Sequence, residues 1–361
     1  MARNAVATVH LSAIRHNYRL AKAQAPGAKA AAIIKANAYG HGAIPVARAL
    51  AADVDAFGVA CIEEALELRA AGISQPILLL EGFFHADELP LIDQHQLWTA
   101  LHTDEQLTAL CAYAPQLRHP LNVWIKLDSG MHRLGFAPDR AAELQATVSA
   151  LPQVAEVVLM THFARSDEPE EAQTVEQITR FNTALEGVDV PVSLSNSAGV
   201  MAWPAAHGQW LRPGMMLYGA TPFMSANAVA DQLQAGMTLT SEIIAVRDVP
   251  AGEAVGYGAT FTCDTPRRIG TVAMGYGDGY PRHAKNGTPV LVNGQRTALA
   301  GRVSMDMLTI DLTHLPEAKV GDTVTLWGPA LPAAEVAPWC DTIPYTLVTC
   351  LTPRVKRVYQ E

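Results

Sequence analysis

AAIIKANAYGHG, residues Ala31–Gly42, joins a strand-like apolar run to a lysine, Lys35, and then to Asn37, Tyr39, Gly40, His41 and Gly42. A lysine that only solubilises a surface needs no such company. The run is the first of eight short apolar segments: residues 30–36, 56–60, 76–80, 97–102, 122–128, 156–163, 192–196 and 209–214. Helix-like stretches lie between most of them. CIEEALELRAAG, residues 61–72, has apolar positions at helical spacing and ends in glycine, and residues 166–185 carry acids in what reads as the first turns of a helix. Near-continuous apolar strands alternating with helices mean parallel strands buried on both faces. Eight such units suggest a closed (β/α)8 barrel of the TIM type, and an open doubly wound sheet is the alternative.

The pattern stops near residues 220–236. Beyond it come β-branched, alternating segments separated by Gly, Pro, Asn and Asp, among them the hairpin signal VNGQ at 292–295. The expected class is therefore α/β plus β. A barrel domain spans residues 1–232 and an all-β domain spans 233–361. The strand-like AVATVHL at 5–11 is a candidate to pair with the second domain.

Composition sets limits on function. The chain has 361 residues, 49% hydrophobic and 17% charged, enough for a substantial core. A formal charge of −9 gives no broad attraction to nucleic acid or to an anionic membrane. The five cysteines are scattered without a C-x-x-C pair, which reads as a reduced, cytoplasmic protein with no zinc site and no other metal centre. No signal-peptide pattern and no membrane-spanning apolar run are evident.

The barrel runs end in unusual polar groups: Lys35, His162, Asn196 with Ser197, and Arg212 before Pro213 and Gly214. A fifth run carries Lys126 inside it and Arg133 just beyond. Each has a plainer reading. Lys35 could snorkel, His162 could be a satisfied core histidine, Asn196 and Ser197 could cap a helix, and Arg212 could sit in a surface turn. Lys126 resists one, because a buried ammonium is costly unless neutralised or paired. Five polar ends on one rim are where barrel chemistry is placed. A desolvated lysine becomes a nucleophilic amine, and Ser197, Gly214 and Tyr39 can donate to one phosphate dianion. An amine beside a phosphate cradle suggests pyridoxal phosphate.

At this point the sequence resembles a known family. AAIIKANAYGHG, IKLDSGMHRLG, MTHFARSDEP, SNSAG, RPGMMLYG, VGYGATFTC, MGYGDGYPR, AGRVSMDM and RVKRVY, in this order over almost the whole chain, are similar to the motifs of alanine racemase, a fold-type III pyridoxal phosphate enzyme. The resemblance implies interconversion of L-alanine and D-alanine by two bases on opposite faces of Cα. Lys35 would carry the cofactor as a Schiff base and serve D-alanine, and Tyr257 would serve L-alanine. It implies cofactor contacts from Tyr39, His162, Asn196, Ser197, Arg212, Gly214, Met215 and Tyr345, with Arg212 at the pyridine nitrogen. Arg133 and Met305 would bind substrate. Lys126 would be carbamylated, and Asp167, Tyr276, Arg282 and Arg302 would line an access corridor. It also implies a homodimer in which Tyr257 and Met305 complete the partner's site. A broad-specificity racemase is the nearest alternative. A fold-type III decarboxylase and a non-catalytic pyridoxal phosphate barrel fit less well, the latter because it lacks the β domain.

Overall fold

Alternation of side chains along a strand decides which residues face a barrel's lumen. The computed structural model describes residues 4–361, so the first three residues of the expected barrel domain lie outside the described residues. Strand β1 (Val6–His10) leads into helix α1 (Leu11–Ala23). Eight parallel strands follow: β2 (Lys29–Ile33), β3 (Ala56–Val59), β4 (Ile77–Leu79), β5 (Trp98–Leu101), β6 (Leu121–Lys126), β7 (Val154–Met160), β8 (Val192–Ser193) and β9 (Trp210–Leu211). They run in the order β9-β2-β3-β4-β5-β6-β7-β8. The β8–β9 seam is closed by Arg212 N–H donating to Ser195 O at 3.0 Å and by Ser193 Oγ donating to Trp210 O at 2.8 Å. The nearly closed barrel has helices around it, as the alternating pattern requires.

The lumen is packed by Ala31, Ile33, Ala56, Leu78, Ala100, Trp124, Val158, Met160 and Trp210. Trp210 takes the edges of Trp98 at 5.5 Å and Trp124 at 5.3 Å, and Lys29 Nζ sits 5.2 Å from its ring centroid. Trp98 and Trp210 begin their strands, so aromatic rings block the N-terminal mouth. The same alternation continues to the other end. Residues 31 and 33 point inward, and 35 keeps their parity. Likewise 124 leads to 126, 160 to 162, and 210 to 212. Lys35, Lys126, His162 and Arg212 thus form the next inward layer at the C-terminal rim.

The remaining strands are β10 (Met237–Val249), β11 (Ala254–Val255), β12 (Phe261–Thr262), β13 (Arg267–Val272), β14 (Pro289–Val292), β15 (Gln295–Ala298), β16 (Leu308–Asp311), β17 (Thr323–Trp327) and β18 (Lys356–Gln360). One sheet runs β15-β14-β17-β10-β1-β18, with β13 joining β10 to β16. Only β1–β18 is parallel in it. The β14–β15 turn has Asn293 at φ 47° and Gly294 at φ 81°, the two positive values that an Asn-Gly hairpin turn needs. Buried Asn17 on α1 ties the two halves of the chain. Its Nδ2 donates to Leu217 O at 3.0 Å and Gln234 O at 2.7 Å, and its Oδ1 accepts from Gln234 N at 2.9 Å.

One helix departs from expectation. The acidic stretch after Ser166 is not its first turn, and helix begins only at Gln173. Glu168 and Glu171 instead pair with Arg165 across a compact loop. All five cysteines are free. Among the described residues no helix is long and apolar enough to cross a membrane, and no group of three His, Cys, Asp or Glu side chains could hold a metal.

Candidate active site

Immediately after Lys35 the backbone turns left-handed. Ala36, Asn37, Ala38 and Tyr39 have φ of 51°, 54°, 52° and 50°. For residues with a Cβ each such value costs about 1–2 kcal/mol, so the turn persists only because its surroundings hold it. Glu64 Oε1 accepts from Ala36 N at 2.6 Å, Asn37 Oδ1 from Ala43 N at 2.8 Å, and Arg357 Nε donates to Gly40 O at 2.6 Å. Gly40, at φ 82°, passes so close to Val348 that a Cβ would lie 2.1 Å from its carbonyl oxygen. Helix Pro344–Thr349 therefore packs directly on the turn and brings Tyr345 to 6.0 Å from the Tyr39 ring.

Tyr39 is also stacked on Tyr218 at 4.9 Å, and the Tyr218 hydroxyl donates to Ile33 O at 2.9 Å. Burial pushes the Tyr39 hydroxyl above the usual tyrosine range, and Tyr345 is pushed up to about 12, mainly by burial and then by Asp167. Both remain proton donors at neutral pH. Next to Tyr39 lie Ser197 and the turn that begins at Gly214. Ser197 Oγ accepts from Gly214 N at 2.9 Å and from Met216 N at 3.2 Å. A Cβ on Gly214 would come within 2.9 Å of Tyr39 Oη, so only glycine leaves room there. Asn196 caps helix Ser197–Ala202 through Gly199 N at 2.9 Å and accepts from Ser166 Oγ at 2.9 Å. Its carbonyl oxygen is thus occupied by the cap, and its part in the site is to fix where Ser197 stands.

The inward layer is rich in cations. Arg212 is 5% exposed and, among the described residues, has no carboxylate partner. Nη1 donates to Ser193 O at 2.7 Å and Ser193 Oγ at 2.6 Å, and Nη2 donates to Thr161 O at 2.5 Å. Burial lowers its pKa to about 10, so it stays charged at neutral pH. Nη2 also lies 3.4 Å from His162 Nδ1. A guanidinium only donates, so Nδ1 accepts and the imidazole is neutral. Burial and then Arg212 hold His162 well below the usual histidine range. Lys126 is 8% exposed and lowered to about 8, first by burial and then by Arg212 and Arg133. Arg133 follows a loop that Asp128 shapes by accepting from the backbone N–H of Gly130, Met131 and His132, each at 3.0 Å.

The Lys126 shift has a checkable consequence. Between about pH 8 and the ordinary lysine value of 10.5, the unfolded chain binds more protons at this position than the folded one. Stability therefore rises with pH across that window and falls as pH drops through 8. Cofactor-free protein in CO2-free buffer is expected to show this gain in denaturant midpoint between pH 8 and 10. Lys126→Met should lack it. The same pH dependence in both proteins would contradict the assignment.

Tyr257, Met305, Tyr276, Arg282 and Arg302 lie apart from this rim, on the β domain. Tyr257 is 69% exposed and Met305 52%. Tyr257 stands between Gly256 at φ 76° and Gly258 at φ 74°, beside the Arg302 guanidinium. The Met305 carbonyl accepts from Gly277 N at 2.8 Å, and Arg282 lies 6.0 Å over the Tyr276 ring. These residues make one exposed patch, and no hydrogen bond joins Tyr257 or Met305 to the rim among the described residues. Asp167 is exposed near Tyr345.

Residues 9–222 match the family model for the N-terminal domain of alanine racemase, and residues 236–359 match that for its C-terminal domain. The chain belongs to the alanine racemase family. An alanine racemase of Chromohalobacter salexigens is 56% identical over 100% of this chain and 99% of its own length. A catabolic alanine racemase of Pseudomonas putida is 56% identical, covering 99% of each. The crystal structure of the biosynthetic alanine racemase of Pseudomonas aeruginosa superposes with a TM-score of 0.95 at 52% identity, over 99% of this chain and 100% of that one. That of the Bartonella henselae alanine racemase, with covalently bound pyridoxal phosphate, has a TM-score of 0.90 at 30% identity, covering 99% of each.

The rim has contributors to which the motifs assign no role, three of them inside the motifs themselves and Glu64 outside. Glu64, Asp128, Tyr218 and Arg357 all position it. Asp128 carried a local signal, an Asp two residues before Gly in DSG. Glu64 and Arg357 act across 28 and 317 residues, and nothing local announces such contacts.

Proposed function

We propose that this alanine racemase family member interconverts L-alanine and D-alanine with pyridoxal phosphate, using Lys35 and the Tyr257 of a second copy as opposed bases. The supporting observation is the meeting, at one rim, of an amine, the Tyr39 and Ser197 hydroxyls and a buried arginine. The donor chemistry fits the cofactor. Tyr39, Ser197, Gly214, Met215 and Tyr345 would hold its phosphate, and Lys35 would hold its aldehyde carbon. When bound, pyridoxal phosphate supplies a ring that withdraws electrons and acidifies the substrate Cα–H.

The chain's own residues do the rest. Arg212, committed to carbonyls and still cationic, would face the ring nitrogen of the bound cofactor and would keep it unprotonated, which would moderate the electron sink and disfavour transamination. His162 accepts from Arg212 and orients it. Arg133 takes the substrate carboxylate, with the Met305 backbone of the second copy beside it. With its pKa lowered to about 8, Lys126 is a cation with a minor neutral fraction at physiological pH; addition of CO2 to that neutral amine, with release of a proton to solvent, would replace a buried cation by an anion able to orient Arg133. Lys35 Nζ moves a proton on one face of Cα and Tyr257 Oη on the other. The exposed patch around Tyr257 is the surface a second copy would cover, giving a homodimer with two shared sites. Tyr276, Arg282, Arg302 and Asp167 would then narrow the approach.

Enantiomers have equal free energies, so the reaction has no preferred direction. The same site can supply D-alanine for peptidoglycan or feed alanine catabolism, according to which product is consumed. The free cysteines fit work in the cytoplasm. The direct test is incubation of the holoenzyme with L-alanine in deuterated water. Both enantiomers should appear labelled at Cα, and unlabelled L-alanine with no D-alanine after prolonged incubation would refute the proposal.

A further inference from the structure

His41 has no part in the proposed chemistry. It is 1% exposed, enclosed by the turn it follows. Its Nδ1 lies 3.1 Å from the Ala38 carbonyl oxygen and 3.0 Å from that of Tyr39. Both are acceptors, so Nδ1 carries the ring proton and donates to both. The Tyr39 carbonyl has no other hydrogen-bond partner among the described residues. Nε2 is buried without a partner, and burial lowers the imidazole to about 4, so the ring is neutral. Its plane rests on Tyr218 at 4.5 Å and 28°, and Tyr218 in turn stacks on Tyr39 at 4.9 Å and 28°.

We infer that His41 is a positioning residue for the cofactor phosphate, acting by donating its Nδ1–H to the carbonyls of Ala38 and Tyr39 and so fixing the Tyr39 hydroxyl beside Ser197 and Gly214. The inference rests on the reading in which Tyr39 contacts the phosphate. The physical reason is the backbone. Four consecutive non-glycine residues with positive φ relax unless each is held. His41 holds the last two, the ones that aim Tyr39. The turn's other supports, Glu64 and Arg357, grip Ala36 and Gly40 instead. A charged side chain would bring an unpaired ion into the same enclosure. Neutral histidine supplies the donor without one.

Two replacements separate the donor from the ring. His41→Phe keeps the ring on Tyr218 and loses the donor. His41→Asn keeps an N–H at the position of Nδ1 and loses the ring. Full-length protein stripped of cofactor is titrated with pyridoxal phosphate and, separately, with pyridoxal, which can join Lys35 but lacks the phosphate. His41→Phe is expected to lose about tenfold in affinity for pyridoxal phosphate, with pyridoxal affinity changed less than about twofold. His41→Asn should keep most of the preference for the phosphorylated form. An equal loss for both ligands in His41→Phe, or an unchanged preference, overturns the inference. So does a loss in His41→Asn as large as in His41→Phe. Should His41→Phe fail to fold, the preference retained or lost in His41→Asn decides. Tyr39→Phe tests the reading beneath. An unchanged preference there removes that reading and the inference together. A lost preference in Tyr39→Phe with an intact one in His41→Phe removes the inference alone.

Discussion

Lys35→Ala is expected to abolish racemisation, lowering turnover by about 10⁴-fold or more, because in the proposed reaction one side chain supplies both the covalent tether and one of two proton-transferring groups. Holoenzyme should also lose the visible absorption of a Schiff base. The fold should survive. Lys35 lies two residues beyond the end of β2 and is only half-buried, so its removal opens no cavity in the lumen. The neighbouring Lys126 does not substitute for it. Its parity aims it inward from β6, where Arg212, Arg133 and Lys35 surround it and the proposed carbamate would remove its nucleophilic amine. Melting temperature within a few degrees of the parent, with no absorbance band and no labelled alanine, is the predicted outcome. Turnover within tenfold of the parent would mean that another amine carries the chemistry.

Tyr257→Phe should leave stability nearly unchanged, within about 0.5 kcal/mol, since the side chain is largely exposed in one copy of the chain. Its kinetic effect should be large and one-sided. Turnover is expected to fall by about 10²–10⁴-fold, the range for loss of a positioned acid or base. Lys35 remains in place, so D-alanine should still exchange its α-proton with solvent while little L-alanine forms. L-Alanine should lose exchange and conversion together. Equal loss of exchange for both enantiomers would show that Tyr257 supports the site as a whole and serves neither face in particular.

Much of this molecule is legible in its sequence, for identifiable reasons. Barrel strands are buried on both faces, so all eight stand out as apolar runs. Period-two alternation then carries Lys35, Lys126, His162 and Arg212 to one rim without any tertiary information. Asn293-Gly294 announces its hairpin because few other residue pairs accept two positive φ values. The left-handed turn after Lys35 is different. Ala36 and Ala38 prefer the right-handed region, and only contacts from Glu64, Val348 and Arg357 overrule them. The acidic loop before Gln173 looks helical because acids near an N-terminus stabilise helices, yet here they neutralise Arg165. Asn196 was legible in type, with its role divided between the two readings open to it. It caps the helix, and that cap is what places Ser197.

In the proposed shared site Lys35 comes from one copy of the chain and Tyr257 from another. Mixing Lys35→Ala with Tyr257→Phe under conditions of confirmed subunit exchange tests it directly. Random pairing makes half of the dimers hybrid, and each hybrid holds one intact site and one doubly defective site. The prediction is recovery to about one quarter of parental activity from two nearly inactive proteins. Activity no higher than the sum of the separate variants would place both groups in one chain and contradict the shared site.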